Sequence, residues 1–109
     1  MNERETPHNK LVRGKIPGII CSNGEEPVTR VLGDEEYLVE LLNKIVEEAI
    51  EVRDSGGSPE EFADLEEVVT AYLEARGISS EDVERIRLQK RTERGGFEEK
   101  AYLIKTIKK

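Results

Sequence analysis

Residues 34–77, DEEYLVELLNKIVEEAIEVRDSGGSPEEFADLEEVVTAYLEARG, decide the fold of this chain. Apolar residues recur at intervals of three and four on both sides of the turn-forming segment 55–57, which predicts two helices. We expect Asp34 to be the N-cap of the first helix, Ser58 the N-cap of the second, and Gly77 its C-cap. Because the connection is short, the two helices are predicted to form an antiparallel helical hairpin.

Shorter elements flank this hairpin. An additional helix is predicted to start at Ser79 or Ser80 and to stop at Gly95–Gly96. Residues 28–32 and 100–107, which are β-branched or alternating, are expected to pair as a minor two-strand element. A short helix is expected before them, at residues 17–21. The predicted fold class is therefore mainly α.

Length and composition predict one domain that is completed by oligomerisation. The chain has 109 residues, which favours a single domain over residues 10–109 after a polar N-terminal tail, residues 1–9. Hydrophobic residues make up 36% of the chain, and there is no Trp. So few large apolar groups make a thick monomeric core difficult, and a second copy of the chain would supply the missing surface.

Charge and cysteine content restrict the classes of partner. A net charge of −7 disfavours binding to nucleic acids and to anionic membranes. The single cysteine, Cys21, allows no internal disulfide, and its apolar neighbours suggest a buried or half-buried side chain. No stretch reaches the roughly 18 apolar residues of a membrane span, and residues 1–9 lack the apolar region of a signal peptide. We therefore expect a cytoplasmic protein.

Carboxylates interrupt the apolar stripes of both predicted hairpin helices. Glu48 lies at the edge of the first stripe and Glu61 within the second, where an unpaired carboxylate is costly. Glu51 and Asp64 follow three residues after each of them. Helices that pack together would bring these four carboxylates close to one another, and oxygen-only ligands suit Mg²⁺ or Mn²⁺ better than zinc.

Two simpler interpretations account for the same carboxylates without a metal. Glu61 is the third residue after Ser58 and fits a capping box with it. Glu48 follows Lys44 by four residues, so the two side chains can pair along the helix.

Basic residues form two clusters that suit the binding of phosphate oxygens in an otherwise acidic chain. The alternative is that the second cluster complements the helix dipole, with Gly95 as the C-cap. The clusters comprise Lys10, Arg13 and Lys15, and Lys90, Arg91 and Arg94.

Several segments in order resemble the all-α nucleotide pyrophosphohydrolase superfamily, which includes MazG-like proteins and phosphoribosyl-ATP pyrophosphohydrolases. The resemblance rests first on KLVRGKIP at 10–17, PVTRVL at 27–32 and EEAIE at 47–51. Segments EFAD at 61–64 and RGGFE at 94–98 are similar to those of a small stand-alone branch.

This resemblance implies metal-dependent hydrolysis of a nucleotide α–β phosphoanhydride, with release of pyrophosphate, by a homodimer or homotetramer. We expect an enzyme of this kind to remove aberrant nucleotides. The matching positions imply that the same four carboxylates bind Mg²⁺ and that one of them orients or deprotonates the attacking water; they are Glu48, Glu51, Glu61 and Asp64. Glu47 and Glu67 are secondary candidates for the same role.

The chain also departs from the pattern of that superfamily. Gly14 stands where an acidic residue is common, and Thr70 stands where another is expected. Two rival functions therefore remain open from the sequence. One is a catalytically silent nucleotide-binding or regulatory helical module, and the other is a structural dimerisation domain.

Overall fold

A computed structural model describes residues 4–109 of the chain, which form four helices and no strand. The helices are α1 (Ile16–Ser22), α2 (Asp34–Asp54), α3 (Pro59–Arg76) and α4 (Ser80–Arg94). The prediction of a mainly α fold is confirmed. The structure divides into two compact units, residues 4–77 and 78–109, each described here by itself.

The helix ends follow the local chemistry, with one shift of the predicted cap. The cap of α2 is Gly33, so Asp34 is the first helical residue and adds to the acidic first turn. Such a turn stabilises the positive end of the helix dipole. At the end of α3, Gly77 takes a left-handed conformation with φ of 67°, as predicted for a C-cap, and its N–H donates to the Glu74 carbonyl.

The predicted two-strand element is wrong, because neither segment forms a strand. Val28 and Val31 are 94% and 97% exposed, and Tyr102 is 90% exposed. β-branched residues favour extended backbone, but a lone two-stranded ribbon with no apolar surface beneath it gains too little to be stable. Residues 28–32 and 100–107 are therefore irregular segments.

Helices α2 and α3 pack against each other and hold the apolar centre of the first unit. Leu41 on α2 is 3% exposed, and it is the only buried side chain in residues 4–109. The remaining apolar side chains of both helices are half-buried or exposed. This unit positions the candidate site while leaving much apolar surface in contact with water.

In the second unit, α4 is capped by Ser79, whose hydroxyl oxygen accepts from the backbone N–H groups of Glu81 and Asp82 at 3.1 and 3.3 Å. Arg91, in the last turn, pairs with Glu98.

Two further findings concern the surface. Cys21 lies exposed on α1, so the expectation of a buried or half-buried thiol is wrong. Across the described part of the chain, no helix has both the length and the apolar character that a membrane span requires.

Candidate metal centre

Three of the four predicted carboxylates converge between α2 and α3. Oxygen atoms of Glu48, Glu61 and Asp64 all lie within 4.8 Å of one another, and all three side chains are half-buried. Glu48 comes from α2, and the other two come from consecutive turns of α3. The fourth, Glu51, is exposed and lies outside this group of three. We call Glu48, Glu61 and Asp64 the acidic cluster.

Two members of the acidic cluster already have a cationic neighbour in the chain. The Arg13 guanidinium Nη2 donates to Asp64 Oδ1 at 2.7 Å, across 51 residues of sequence. Lys44 Nζ lies 3.8 Å from Glu48 Oε1 and 3.7 Å from Glu47 Oε1. The side chains of Lys44 and Glu48 are only 15% and 14% exposed, so solvent screens this pair less than an ion pair on the surface.

Glu61 has no such partner among the described residues, and its carboxyl responds to the surrounding negative charge. Partial loss of solvent raises the pKa of Glu61 above its ordinary value. The charges of Asp64, Glu51 and Glu48 raise that pKa further. Glu51 therefore acts on Glu61 electrostatically although it is not one of the three converging side chains.

The capping box proposed for Glu61 does not form. The Ser58 backbone N–H donates to Ser55 Oγ at 3.1 Å, and the Ser58 hydroxyl donates to Glu60 Oε2 at 2.9 Å. Ser58 keeps the N-cap position, as predicted, but it makes no side-chain hydrogen bond to the helix N–H groups. Glu61 thus lacks the structural role that would have explained its place within the apolar stripe.

Two members of the acidic cluster, Glu48 and Asp64, line a groove of about 680 Å³ in the first unit. One wall is the basic segment 10–16, and the other is formed by α2 and α3. Charged and aromatic side chains along it include Lys10, Arg13, Lys15, Tyr37, Lys44, Glu48, Asp64 and Glu67. Three predicted phosphate-binding residues and two predicted metal ligands, Glu48 and Asp64, therefore share one concave surface, the kind of surface on which small ligands bind.

The donor set of the acidic cluster fits Mg²⁺ or Mn²⁺. All its donors are carboxylate oxygens, which these cations prefer. In an octahedral Mg²⁺ site, neighbouring ligand oxygens are about 3 Å apart and opposite ones about 4 Å apart. Separations within 4.8 Å meet that geometry after small side-chain movements. Loss of solvent raises the pKa of Glu61, and the charges of Asp64, Glu51 and Glu48 raise it further, so a cation bound beside them would offset that repulsion.

The second basic cluster lies in the other unit, at the C-terminal end of α4, with Arg91 and Arg94 in its last turn. Lys90 and Arg94 are exposed there. Gly95 follows with φ of 84°, and its N–H donates to the Arg91 carbonyl at 2.8 Å. The alternative interpretation, in which Gly95 caps the helix after a basic last turn, therefore describes this region. The phosphate-binding role of Lys90 and Arg94 stays a prediction.

Sequence reasoning missed the positions of two groove residues. The sequence predicts Lys44 only as a pairing partner of Glu48 and predicts no role for Tyr37. Both were detectable, because residues 37, 41, 44 and 48 recur at intervals of four, three and four and so share one face of α2. The Arg13–Asp64 contact left no such periodic signal.

Comparison with known proteins adds little about function. No protein-family profile and no solved structure matches the chain. A 44-residue stretch is 46% identical to an uncharacterized protein of Mycolicibacterium smegmatis (strain ATCC 700084 / mc(2)155), covering 40% of this chain and 45% of that protein. The match thus spans less than half of that relative.

Proposed function

We propose that this protein is a metal-dependent nucleotide pyrophosphohydrolase that cleaves an α–β phosphoanhydride and releases pyrophosphate. The observation that carries the proposal is the acidic cluster, whose three carboxylates meet between α2 and α3 beside a basic groove. The resemblance of the ordered sequence segments to the all-α nucleotide pyrophosphohydrolases supports the same activity. Removal of aberrant nucleotides is the corresponding cellular role.

Each part of the groove has a chemical role in this proposal. Glu48, Glu61 and Asp64 hold Mg²⁺ or Mn²⁺, which when bound polarises the phosphate oxygens and offsets their charge. One carboxylate accepts a proton from the attacking water, and Glu51 is close enough to influence that proton through its charge. The basic residues of segment 10–15 bind phosphate oxygens, and the half-buried Tyr37 offers a surface for the base.

The proposal includes the finer architecture implied by the sequence. Helices α2 and α3 are taken as an antiparallel hairpin, and two or more copies of the chain are taken to associate so that their apolar surfaces are covered. The incomplete core supports association, since Leu41 is the one buried side chain of residues 4–109. We propose a cytoplasmic location, which suits a nucleotide substrate and a free thiol.

The test is pyrophosphate release from a panel of nucleoside triphosphates with Mg²⁺ or Mn²⁺. Glu48→Gln and Asp64→Asn remove a ligand charge with little change of shape, so each is expected to lower turnover at least about a hundredfold. Glu66→Gln is the matched control, because Glu66 is exposed on α3 outside the acidic cluster. Circular dichroism of each variant checks that the helices remain. Absence of turnover across the panel, with no effect of metal on melting, would refute the proposal.

One observation favours a second candidate, a nucleotide-binding module without turnover. Arg13 and Lys44 already place positive charge beside two of the three clustered carboxylates, so phosphate binding does not require a metal. Calorimetry with a nucleoside triphosphate in the presence of a chelator separates the two candidates. The enzyme requires added Mg²⁺ for pyrophosphate release, whereas the silent module binds the nucleotide in chelator and releases nothing when metal is restored.

A further inference from the structure

Helix α2 has two apolar faces, and only one of them is used inside the first unit. At 100° per residue, Leu38, Leu41, Ile45 and Val52 lie within an arc of about 60° and are half-buried or buried. The second face lies about 110° around the helix. Its apolar side chains are 42–59% exposed; they are Val39, Leu42, Val46 and Ile50. A helix that is apolar on two faces is normally covered from two sides.

The exposed face of α2 is self-complementary when a second copy of α2 runs antiparallel to it. When the two-fold axis passes level with residue 44, two residues lie opposite each other if their numbers sum to about 88. Leu42 then faces Val46 of the second copy, and Val39 lies near its Ile50. The two-fold axis repeats each pair with the two copies exchanged, so two kinds of pair give four apolar contacts.

Charge at the ends of this face fits the same register. Glu35 and Arg53 lie in the same angular sector as the apolar residues, in the first and last turns of α2. Their numbers also sum to 88, so each Glu35 faces Arg53 of the second copy. Arg53 contacts Asp54 at 3.1 Å through Nε and is 76% exposed, which leaves its other guanidinium N–H groups available. Two symmetric ion pairs thus close the apolar stripe at both ends.

We infer that the face of α2 formed by Val39, Leu42, Val46 and Ile50 binds the same face of a second copy, antiparallel and about a two-fold axis near residue 44. This inference deepens the association included in the proposed function, but it requires neither the metal nor the hydrolysis. The occupant is a second copy because the apolar residues and the flanking charges match under the same symmetry operation. A helix of unrelated sequence satisfies that condition only by chance.

The experiment is sedimentation equilibrium of the full chain over a dilution series, with a reducing agent present. Wild-type protein is expected to show a concentration-dependent even-numbered assembly. Val46→Glu places a charge in the stripe twice per pair and is expected to raise the dissociation constant at least about a hundredfold. Val31→Glu is the control, since it adds the same charge at a residue that is 97% exposed outside the helices, and it should leave the constant unchanged.

A charge exchange tests the register without disturbing the apolar residues. Glu35→Arg and Arg53→Glu each turn two attractive pairs into two repulsive ones and are expected to weaken association about tenfold. The double variant E35R/R53E restores both pairs and is expected to return to the wild-type constant.

Three outcomes would overturn the inference. A wild-type monomer at every concentration would show that this face of α2 does not bind a second copy. Association insensitive to V46E would place the interface elsewhere, and failure of E35R/R53E to recover would exclude the antiparallel register. Because the readout is molecular mass, a loss of pyrophosphate release leaves this test unaffected, and the reverse also holds.

Discussion

The guanidinium of Arg13 lies 2.7 Å from Asp64 Oδ1 and occupies a carboxylate that we assign to the metal. A cation that binds Asp64 must therefore compete with an internal one. Arg13 also lines the groove, where a released guanidinium can bind a phosphate. Arg13 thus opposes the binding of a metal ion alone, but it favours the binding of a nucleotide together with its metal.

We expect Arg13→Gln to have opposite effects on these two affinities. By calorimetry, the variant is expected to bind Mn²⁺ alone about three- to tenfold more tightly, because the competing charge is gone. It is expected to bind Mn²⁺ with a non-hydrolysable triphosphate analogue less tightly than wild type. Arg30→Gln is the control, since Arg30 pairs with Glu36 outside the groove. Equal shifts of both affinities in one direction would contradict the dual role.

The raised pKa of Glu61 predicts how stability depends on pH. Its folded-state pKa lies above the ordinary value of 4.5, so ionised Glu61 weakens the fold at neutral pH. The contribution of Glu61 is fully favourable below pH 4.5 and is lost as the pH rises through the raised pKa. Glu61→Gln is therefore expected to melt at a higher temperature than wild type at pH 7 without metal.

That difference in melting temperature is expected to shrink as the pH falls towards 4.5 and below, where the wild-type carboxyl is protonated. Melting followed by circular dichroism from pH 4 to 8 measures it, and Glu66→Gln controls for the loss of one charge. If the higher melting temperature of Glu61→Gln persisted unchanged at low pH, the stabilisation by the amide would not be electrostatic.

Lys44 offsets the charge of Glu48 in the partly shielded interior of the groove. Lys44→Met keeps most of the side-chain volume and leaves Glu48 uncompensated, so we expect a loss of about 1–2 kcal/mol in the free energy of unfolding. If Glu48 is a metal ligand, Mn²⁺ should stabilise this variant more than wild type, because the bound cation replaces the lost charge. Urea unfolding with and without Mn²⁺ measures both effects, and Lys105→Met, at an exposed position, serves as the control.

The end of α3 depends on a backbone conformation that glycine adopts easily. Gly77 has φ of 67°, so Gly77→Ala is expected to lower the free energy of unfolding by about 1 kcal/mol even though no atom lies within 4 Å of the added Cβ. Gly14 also has open space around its Cβ but lacks a positive φ. Gly14→Ala should therefore be neutral or slightly stabilising in the same urea titration.

The helices were predictable because their signals are local. Apolar spacing and the caps Ser58, Gly77 and Ser79 placed α2, α3 and α4 to within a residue or two at each end. The valines of residues 28–32 predict a strand that does not form, because β-propensity expresses a preference that only a partner strand and a covered face can satisfy. An aspartate suits both the N-cap and the first turn of a helix, so its residue type does not distinguish these two positions for Asp34.

The candidate site was predictable only in part. Glu48 and Glu61 stood out because each interrupts an apolar stripe, whereas Asp64 was singled out by the resemblance alone. The Arg13–Asp64 contact spans 51 residues and depends on how an irregular segment lies against α3, which no local pattern encodes. The failure of the capping box was equally hidden, since it depends on whether the Ser55 hydroxyl or the Glu61 carboxylate accepts from the Ser58 N–H.

The exposed thiol of Cys21 offers a practical route into this site. It is the only cysteine of the chain, and it lies on α1, whose first residue, Ile16, lines the groove. A maleimide dye will therefore attach at a single known position without any engineered residue. Its fluorescence can report displacement of the groove wall when nucleotide or metal is added, in the unmodified sequence and in each variant.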